Sequence, residues 1–273
     1  MNILVIEPKY FDVKYSINPH MLDKKGNLNT VDTSLAFKQW EEVCTIYKKL
    51  NLNIYHFEPL AGCPDMVFCA NTFLAFSKDG KLQAILSNMH SHFRTPELAP
   101  TKNWLLSQGF EVHETPDEFK LEGTGDGIWN YEANELFLGH GHRTNIGVVS
   151  FLNNYIDNII PLELPDPRFY HLDTCFAVLN KNTAVYIEEA FTTDGIRTLK
   201  RKFNDLIRID LKEGIKNFAG NLFCPDQKNV IIQAGATNLK SELAKRNFII
   251  HEVETSEFIK SGGSVFCMKN HFL

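Results

Sequence analysis

No two cysteines of this sequence are spaced as CxxC, and no apolar run approaches the roughly 18 residues that a membrane span requires. Basic residues are in deficit: 28 Lys and Arg stand against 33 Asp and Glu, for a net charge of −5. Each absence excludes something. The scattered cysteines, Cys44, Cys63, Cys69, Cys175, Cys224 and Cys267, argue against a zinc ribbon or a redox dithiol and point to reduced thiols in a cytosol. The acidic balance disfavours nucleic acid, whose partners carry a basic stripe. The opening Met1–Phe11 stretch has an apolar run too short for a secretory signal and is interrupted by Glu7 and Pro8. The expectation is therefore a cytoplasmic protein with no membrane partner. No Pro/Gly/Ser-rich linker or low-complexity segment divides the 273 residues, so a single domain over 1–273 is expected. That length buries a substantial core without disulfides.

What is present reads as a recurrence. Asn2–Ile6 predicts a buried strand, and Leu35, Trp40, Val43, Tyr47 and Leu50 predict a helix over Ser34–Leu50. Ile54–Phe57 and Met66–Cys69 predict strands. Thr72–Phe76 and Lys81–Leu86, divided by Lys78-Asp79-Gly80, predict a hairpin, followed by a helix over Glu97–Gln108 and a strand at Glu111–His113. The same order returns with strands at Gly127–Asn130 and Glu135–Gly139 and a helix from Thr144 to about Tyr155. It returns again with Ala177–Leu179, Ala184–Ile187 and a helix over Thr193–Phe203, then with Leu222–Cys224, Val230–Gln233 and a helix around Leu239–Arg246. A last strand is expected at Gly263–Cys267. Polar stretches introduce the units: Asp65–Asn71, Glu122–Asp126, His171–Asp173, Ala219–Asn221 and Gly262–Cys267. They lie roughly 40 to 60 residues apart, a period at which repeats build propellers or arrays. An α/β fold of five ββαβ units closing in a ring would bring one polar stretch from each unit to the central axis.

Those stretches carry chemistry. Cys267 is either buried filler or a nucleophile, since free cysteine is among the most buried residue types. His171 alone would more often be a hydrogen-bonded structural histidine, but strand alternation places His171 and Asp173 on one face. With Glu122 and Asp126 they supply the thiol, imidazole and carboxylates that nucleophilic catalysis uses. The histidines of His140-Gly141-His142, with His90 and His92, lack the cysteine or carboxylate spacing that would complete a metal site. Neither a metal nor an organic cofactor is expected.

The ordered set Asp65-Met66-Val67-Phe68-Cys69-Ala70-Asn71, Leu121-Glu122-Gly123-Thr124-Gly125-Asp126, Phe169-Tyr170-His171-Leu172-Asp173-Thr174-Cys175 and Gly262-Gly263-Ser264-Val265-Phe266-Cys267 resembles the motif series of the guanidino-group modifying enzymes. These are the amidinotransferases, arginine deiminases and dimethylarginine dimethylaminohydrolases. The resemblance covers essentially the whole chain. It implies the five-fold pseudosymmetric α/β-propeller called the pentein fold, and a hydrolase acting on a small-molecule guanidino substrate, above all free arginine, through a covalent thiouronium. It implies Cys267 as nucleophile, His171 as acid and then base, and Glu122 as the group that holds His171. Asp173 would grip the guanidinium, with Asp126 in the same set. Arg94 and Arg143 match arginines that bind the substrate α-carboxylate.

One position departs from the deiminases, which place an aspartate where Phe68-Cys69-Ala70-Asn71 ends in Asn71. That asparagine, with Asn18 in Ile17-Asn18-Pro19-His20-Met21, is similar to the arginine dihydrolases of cyanobacterial type. Those convert arginine to ornithine, ammonia and carbon dioxide in two rounds of attack, and often carry a long C-terminal extension. The Asn18–Met21 stretch is either an ordinary turn or part of a substrate lid. A deiminase, a dimethylargininase, an amidinotransferase and a catalytically silent relative that binds a guanidino ligand or a partner stand as alternatives. A homo-oligomer is left open.

Overall fold

The computed structural model describes residues 1–273 and has a mixed α/β architecture in which one arrangement recurs: a strand, an antiparallel neighbour, a helix and a third strand parallel to the second. β1 (Asn2–Ile6) leads through helix α1 (Thr33–Lys49) to β2 (Asn53–Phe57), parallel to β1. β3 (Phe73–Lys78) and β4 (Lys81–Leu86) form a hairpin, and α2 (Leu98–Ser107) carries the chain to β5 (Glu111–Glu114), parallel to β4. The short α3 (Gly123–Asp126) precedes β6 (Gly127–Asn130), β7 (Glu135–His140), α4 (Val148–Leu152) and β8 (Ile159–Glu163). β9 (Phe176–Asn180), β10 (Thr183–Tyr186), α5 (Thr193–Lys202) and β11 (Asp205–Arg208) repeat the pattern. After α6 (Leu211–Lys216), the unit of β12 (Asn229–Gln233), α7 (Thr237–Lys245) and β13 (Ile249–Val253) has its first strand reduced to one bridge, Phe223 to Ile231. Beyond α8 (Ser256–Ile259), β14 (Asn270–Phe272) pairs antiparallel with β1, so the two ends of the chain complete one sheet.

Local chemistry accounts for these elements. The Asp32 carboxylate accepts the Leu35 N–H and caps α1, whose buried Ala36, Trp40, Val43 and Tyr47 recur at helical spacing and face the largest apolar cluster. The helix stops where Asn51 takes a left-handed φ of 56°. The β3–β4 hairpin turns on Asp79 and Gly80, both at positive φ, as a two-residue turn between twisted strands requires. No helix is long and apolar enough to cross a membrane.

Several expectations are corrected. Met66–Cys69 is not a strand: the chain makes two 3₁₀ turns, Pro64–Val67 and Cys69–Asn71. His171 and Asp173 do not alternate along a strand either, since Leu172–Thr174 is a 3₁₀ turn entered from an extended His171. Gly263–Cys267 is not a strand: Gly263 and Ser264 link a turn at 260–262 to one at 265–268, and the final strand begins only at Asn270. In each case polar side chains near the middle of the molecule are delivered by a turn just before a strand, because a strand would send alternate residues into the apolar layers. The helix expected from Thr144 is shorter, spanning Val148–Leu152.

Candidate active site

The turns before β3, β6 and β9, together with the turn closing the chain, bring Asn71, Glu122, His171, Asp173 and Cys267 to one buried place. Two glycines let them meet. A Cβ on Gly125 would lie 2.2 Å from the Asn71 Nδ2, and one on Gly262, which holds φ at +88°, would lie 2.6 Å from the Asn18 Oδ1.

Glu122 is the hub. Its Oε2 lies 2.7 Å from the His171 Nε2 and accepts from the Arg143 Nη1 at 3.2 Å, while its Oε1 accepts the His90 N–H at 2.9 Å. Burial pushes this carboxyl up, but Arg143, His171 and Arg94 together outweigh it and hold Glu122 well below the usual carboxylate range. The other nitrogen of His171, Nδ1, faces the Asn71 Nδ2 at 3.4 Å. Asn71 is itself oriented, because its Oδ1 accepts from the Arg94 Nη1 at 2.7 Å.

Cys267 is held from both sides. Its Sγ lies 3.1 Å from the Asp173 Oδ2 and 3.1 Å from the Asn221 Nδ2, and its N–H donates to the Asn221 Oδ1 at 3.3 Å. Burial pushes the Cys267 thiol well above its ordinary value, and the Asp173 charge adds to this. Burial also pushes Asp173 up to about 7. The Oδ1 of Asp173 and the Oδ2 atoms of Asp65 and Asp126 are buried without a hydrogen-bond partner. The unpaired acceptors of Asp65, which lines the site, and of Asp173, against Cys267, are suited to an incoming cation with many N–H groups, and a guanidinium offers them in one plane.

A cavity of about 20 Å³ sits over these groups, lined by Asn18, Asp65, Asn71, Arg94, Arg143, His171 and Cys267 among others. That is room for one water. The Asn18 segment covers it: the Asn18 Nδ2 donates to the Ser261 carbonyl at 3.0 Å and the Arg143 Nη2 to the Ile17 carbonyl at 2.5 Å. Arg94 is committed elsewhere, its Nε and Nη2 to Glu97 at 2.9 and 2.7 Å and its Nη2 also to the Asp65 and Phe68 carbonyls. Of the residues singled out from sequence, Asp126 lies behind the cavity, where its Oδ1 accepts the Leu172 N–H at 3.0 Å and so fixes the turn that carries His171. Glu122 and Asp173 also stand outside the lining, one shell back against His171 and Cys267. The sequence reading gave Asn221 no role, although it lies in a stretch marked by the recurrence; an asparagine after glycine reads as a turn residue. Asp65 and Tyr170, from the same stretches as Asn71 and His171, line the cavity as well.

The buried Asp173 has a testable consequence. Its unfolded carboxyl titrates near 3.9, so between about pH 4 and about 7 the folded protein binds a proton that the unfolded chain has lost. Stability from this group is therefore full below that window and lost as pH rises through about 7. Asp173→Asn is expected to raise the melting temperature by several degrees at pH 8, with a gain that fades towards pH 4. A shift of the same size at every pH in thermal denaturation would contradict the assignment.

The model of eukaryotic N,N dimethylarginine dimethylhydrolase matches residues 7–273. The chain is 32% identical over 262 residues to N(G),N(G)-dimethylarginine dimethylaminohydrolase of Mycobacterium tuberculosis, covering 95% of this chain and 82% of that one. It is 31% identical over 270 residues to the bifunctional arginine dihydrolase/ornithine cyclodeaminase ArgZ of Synechocystis, covering 98% of this chain but only 37% of the relative's length. The crystal structure of a mutant ArgZ N-terminal domain bound to substrate, an arginine dihydrolase from the Ornithine-Ammonia Cycle in Cyanobacteria, superposes with a TM-score of 0.92 at 30% identity, over 98% of this chain and 97% of that one.

Proposed function

The chain belongs to the N,N dimethylarginine dimethylhydrolase family, and from that premise we propose that it hydrolyses the guanidino group of free L-arginine through a covalent adduct on Cys267. The observation that carries this reading is the meeting of the Cys267 thiol with the Asp173 Oδ2, 3.1 Å apart, whose partner oxygen Oδ1 is left unpaired, in one buried site with the Glu122–His171 pair. We further propose that the five sheets form the blades of a propeller built as a single domain over 1–273, with this site on its axis.

A guanidinium entering beside Asp173 reverses the local electrostatics. Its positive charge favours the ionised forms of both Asp173 and Cys267, which the empty site disfavours. The thiolate attacks the guanidinium carbon and gives a tetrahedral adduct. His171 donates a proton to the departing nitrogen, ammonia leaves, and a thiouronium remains on Sγ. His171 then takes a proton from water as that water attacks the same carbon, and collapse of the adduct breaks the C–S bond to release citrulline. Glu122, buried and ionised, holds His171 for both transfers. Arg143, whose Nη2 now binds the Ile17 carbonyl, would bind the substrate α-carboxylate instead once the Asn18 segment opens as a lid, and Arg94 retains one N–H on Nη1 for the same group.

Asn71 decides how far the reaction goes. Its Oδ1 faces Arg94 and its Nδ2 faces His171, so it can hydrogen-bond a neutral ureido group as donor. A retained citrulline would undergo a second attack by Sγ on its ureido carbon: ornithine leaves as the C–N bond breaks, and hydrolysis of the carbamoyl group left on Sγ yields ammonia and carbon dioxide. L-Arginine is therefore expected to give ornithine, and Asn71→Asp, which keeps the acceptor for Arg94 and loses the donor, should shift the product towards citrulline. Incubation with L-arginine, dimethylarginine and agmatine, with products resolved by mass spectrometry, tests this. Citrulline as sole wild-type product would make the protein a deiminase. The family match favours dimethylarginine as the second reading, and dimethylamine released at a comparable rate would establish it.

A further inference from the structure

A second cavity, of about 230 Å³, opens between the first strands of two sheets, β6 and β9, and the closing segment of the chain. It shares no lining residue with the cavity over Cys267. Its wall is mostly apolar, with Trp129, Leu179, Phe223 and Phe266; its buried polar residues are His271 and Asn130, the latter bonded to the Lys181 carbonyl and the Ala133 N–H. Behind that wall lies a buried charge. Lys269 is fully buried, its Nζ makes no ion pair, and its single hydrogen bond is to the His271 Nδ1 at 2.9 Å. The Nζ also faces the rings of Phe266 and Phe223, 3.3 and 4.4 Å from their centroids, and feels the Asp173 charge from beyond hydrogen-bond reach. Burial of an ammonium that no carboxylate touches is costly. Burial accordingly pushes Lys269 down to about 7.

The hydrogen-bond direction is set by chemistry. In its ammonium form Lys269 can only donate, and then the His271 Nδ1 accepts and the Nε2 carries the imidazole hydrogen. That Nε2–H has no protein partner, on a residue that lines the cavity. We infer that this cavity is a second small-molecule site, which takes a fragment-sized monocarboxylate with an aromatic or aliphatic body. The carboxylate accepts from the His271 Nε2–H, and through the imidazole it strengthens the hydrogen bond to Lys269, whose other anionic neighbour is the more distant Asp173. The volume is below the roughly 300 Å³ at which pockets for drug-sized ligands begin, which restricts the body to about one ring. Glu132 at the rim is occupied by the Lys181 N–H at 2.8 Å, and its charge disfavours dianions.

Titration with 4-fluorobenzoate and its uncharged analogue 4-fluorobenzamide, followed by fluorine NMR, tests the site. The acid should bind saturably and about tenfold or more tightly than the amide, which is ~1.4 kcal/mol. Arginine bound to the Cys267→Ser variant should leave that affinity unchanged. His271→Phe, which keeps the ring and loses the donor, and Lys269→Met, which keeps the chain and loses the charge, should each reduce the acid to the affinity of the amide. Absence of saturable binding in the millimolar range, equal affinity for acid and amide, displacement by arginine, or full affinity in both variants would each overturn the inference. Should either variant fail to fold, the preference of the wild type for acid over amide and its indifference to arginine decide the matter alone.

Discussion

Cys267→Ala or Cys267→Ser should lower arginine turnover by roughly 10⁴- to 10⁶-fold while the protein stays folded and binds arginine. The residue is buried and small, so its loss removes one thiol and leaves a minor void, and the Asn221 and Ala70 contacts of its backbone persist. What disappears is the covalent step. The surroundings of the thiol also say which reagent should find it. In the empty site burial and Asp173 keep Cys267 protonated, so a neutral alkylating agent has no advantage there over Cys44, Cys69 or Cys224, whose thiols burial pushes up to about 12. A cationic haloacetamidine brings the charge that Asp173 attracts and the thiolate needs. It should modify Cys267 first and outpace iodoacetamide at that residue. Peptide mapping that finds another cysteine modified first by the cationic reagent, or a variant without Cys267 that still turns over arginine, would remove this residue from the mechanism.

The residue set was legible in the sequence because the chemistry is local to short stretches. Glu122 sits against glycines, His171 two residues before Asp173, and Cys267 behind a glycine pair, so their companions could be read with them. The backbone that presents them was not. Met66–Cys69 and Gly263–Cys267 are apolar enough to read as strands, yet neither is a strand. Their apolar side chains are buried by contacts from distant parts of the chain, and a short apolar run carries no periodicity that tells a turn from a strand. The strands Ile159–Glu163, Asp205–Arg208 and Ile249–Val253 were missed for a related reason. They are half-exposed, with charged residues among the apolar ones, and acquire their state by pairing parallel to a strand already present. Asn221 acts through partners far along the chain, and the Lys269–His271 pair, though only two residues apart, is buried by distant rings such as Phe223, so nothing in their neighbours announces either.

Glu122→Gln and His171→Asn should abolish turnover to a similar extent, by roughly 10³- to 10⁴-fold, and differ sharply in stability. His171→Asn removes the group that transfers the protons but leaves Glu122 paired with Arg143 and bonded to the His90 N–H. Glu122→Gln keeps a side chain of the same shape at the hub, yet it takes the counter-charge from a buried Arg143 whose remaining contacts are the Ile17 carbonyl and the face of Tyr170. Breaking a buried pair from one side costs about 3–5 kcal/mol, whereas losing the hydrogen bond from His171 to the charged Glu122 costs about 1.5–3 kcal/mol. Denaturant unfolding at pH 7 should therefore show Glu122→Gln as the less stable variant by ~1–2 kcal/mol. Arg143→Met combined with Glu122→Gln should recover much of that loss, because the unpaired cation is gone, and recover none of the activity. Equal stability of the two single variants would mean that Arg143 finds another partner and that Glu122 serves the imidazole alone. Near-normal turnover in Glu122→Gln would mean that His171 needs no carboxylate to hold it, and the proton-transfer scheme would have to be rebuilt around Asn71, the other group that touches the ring.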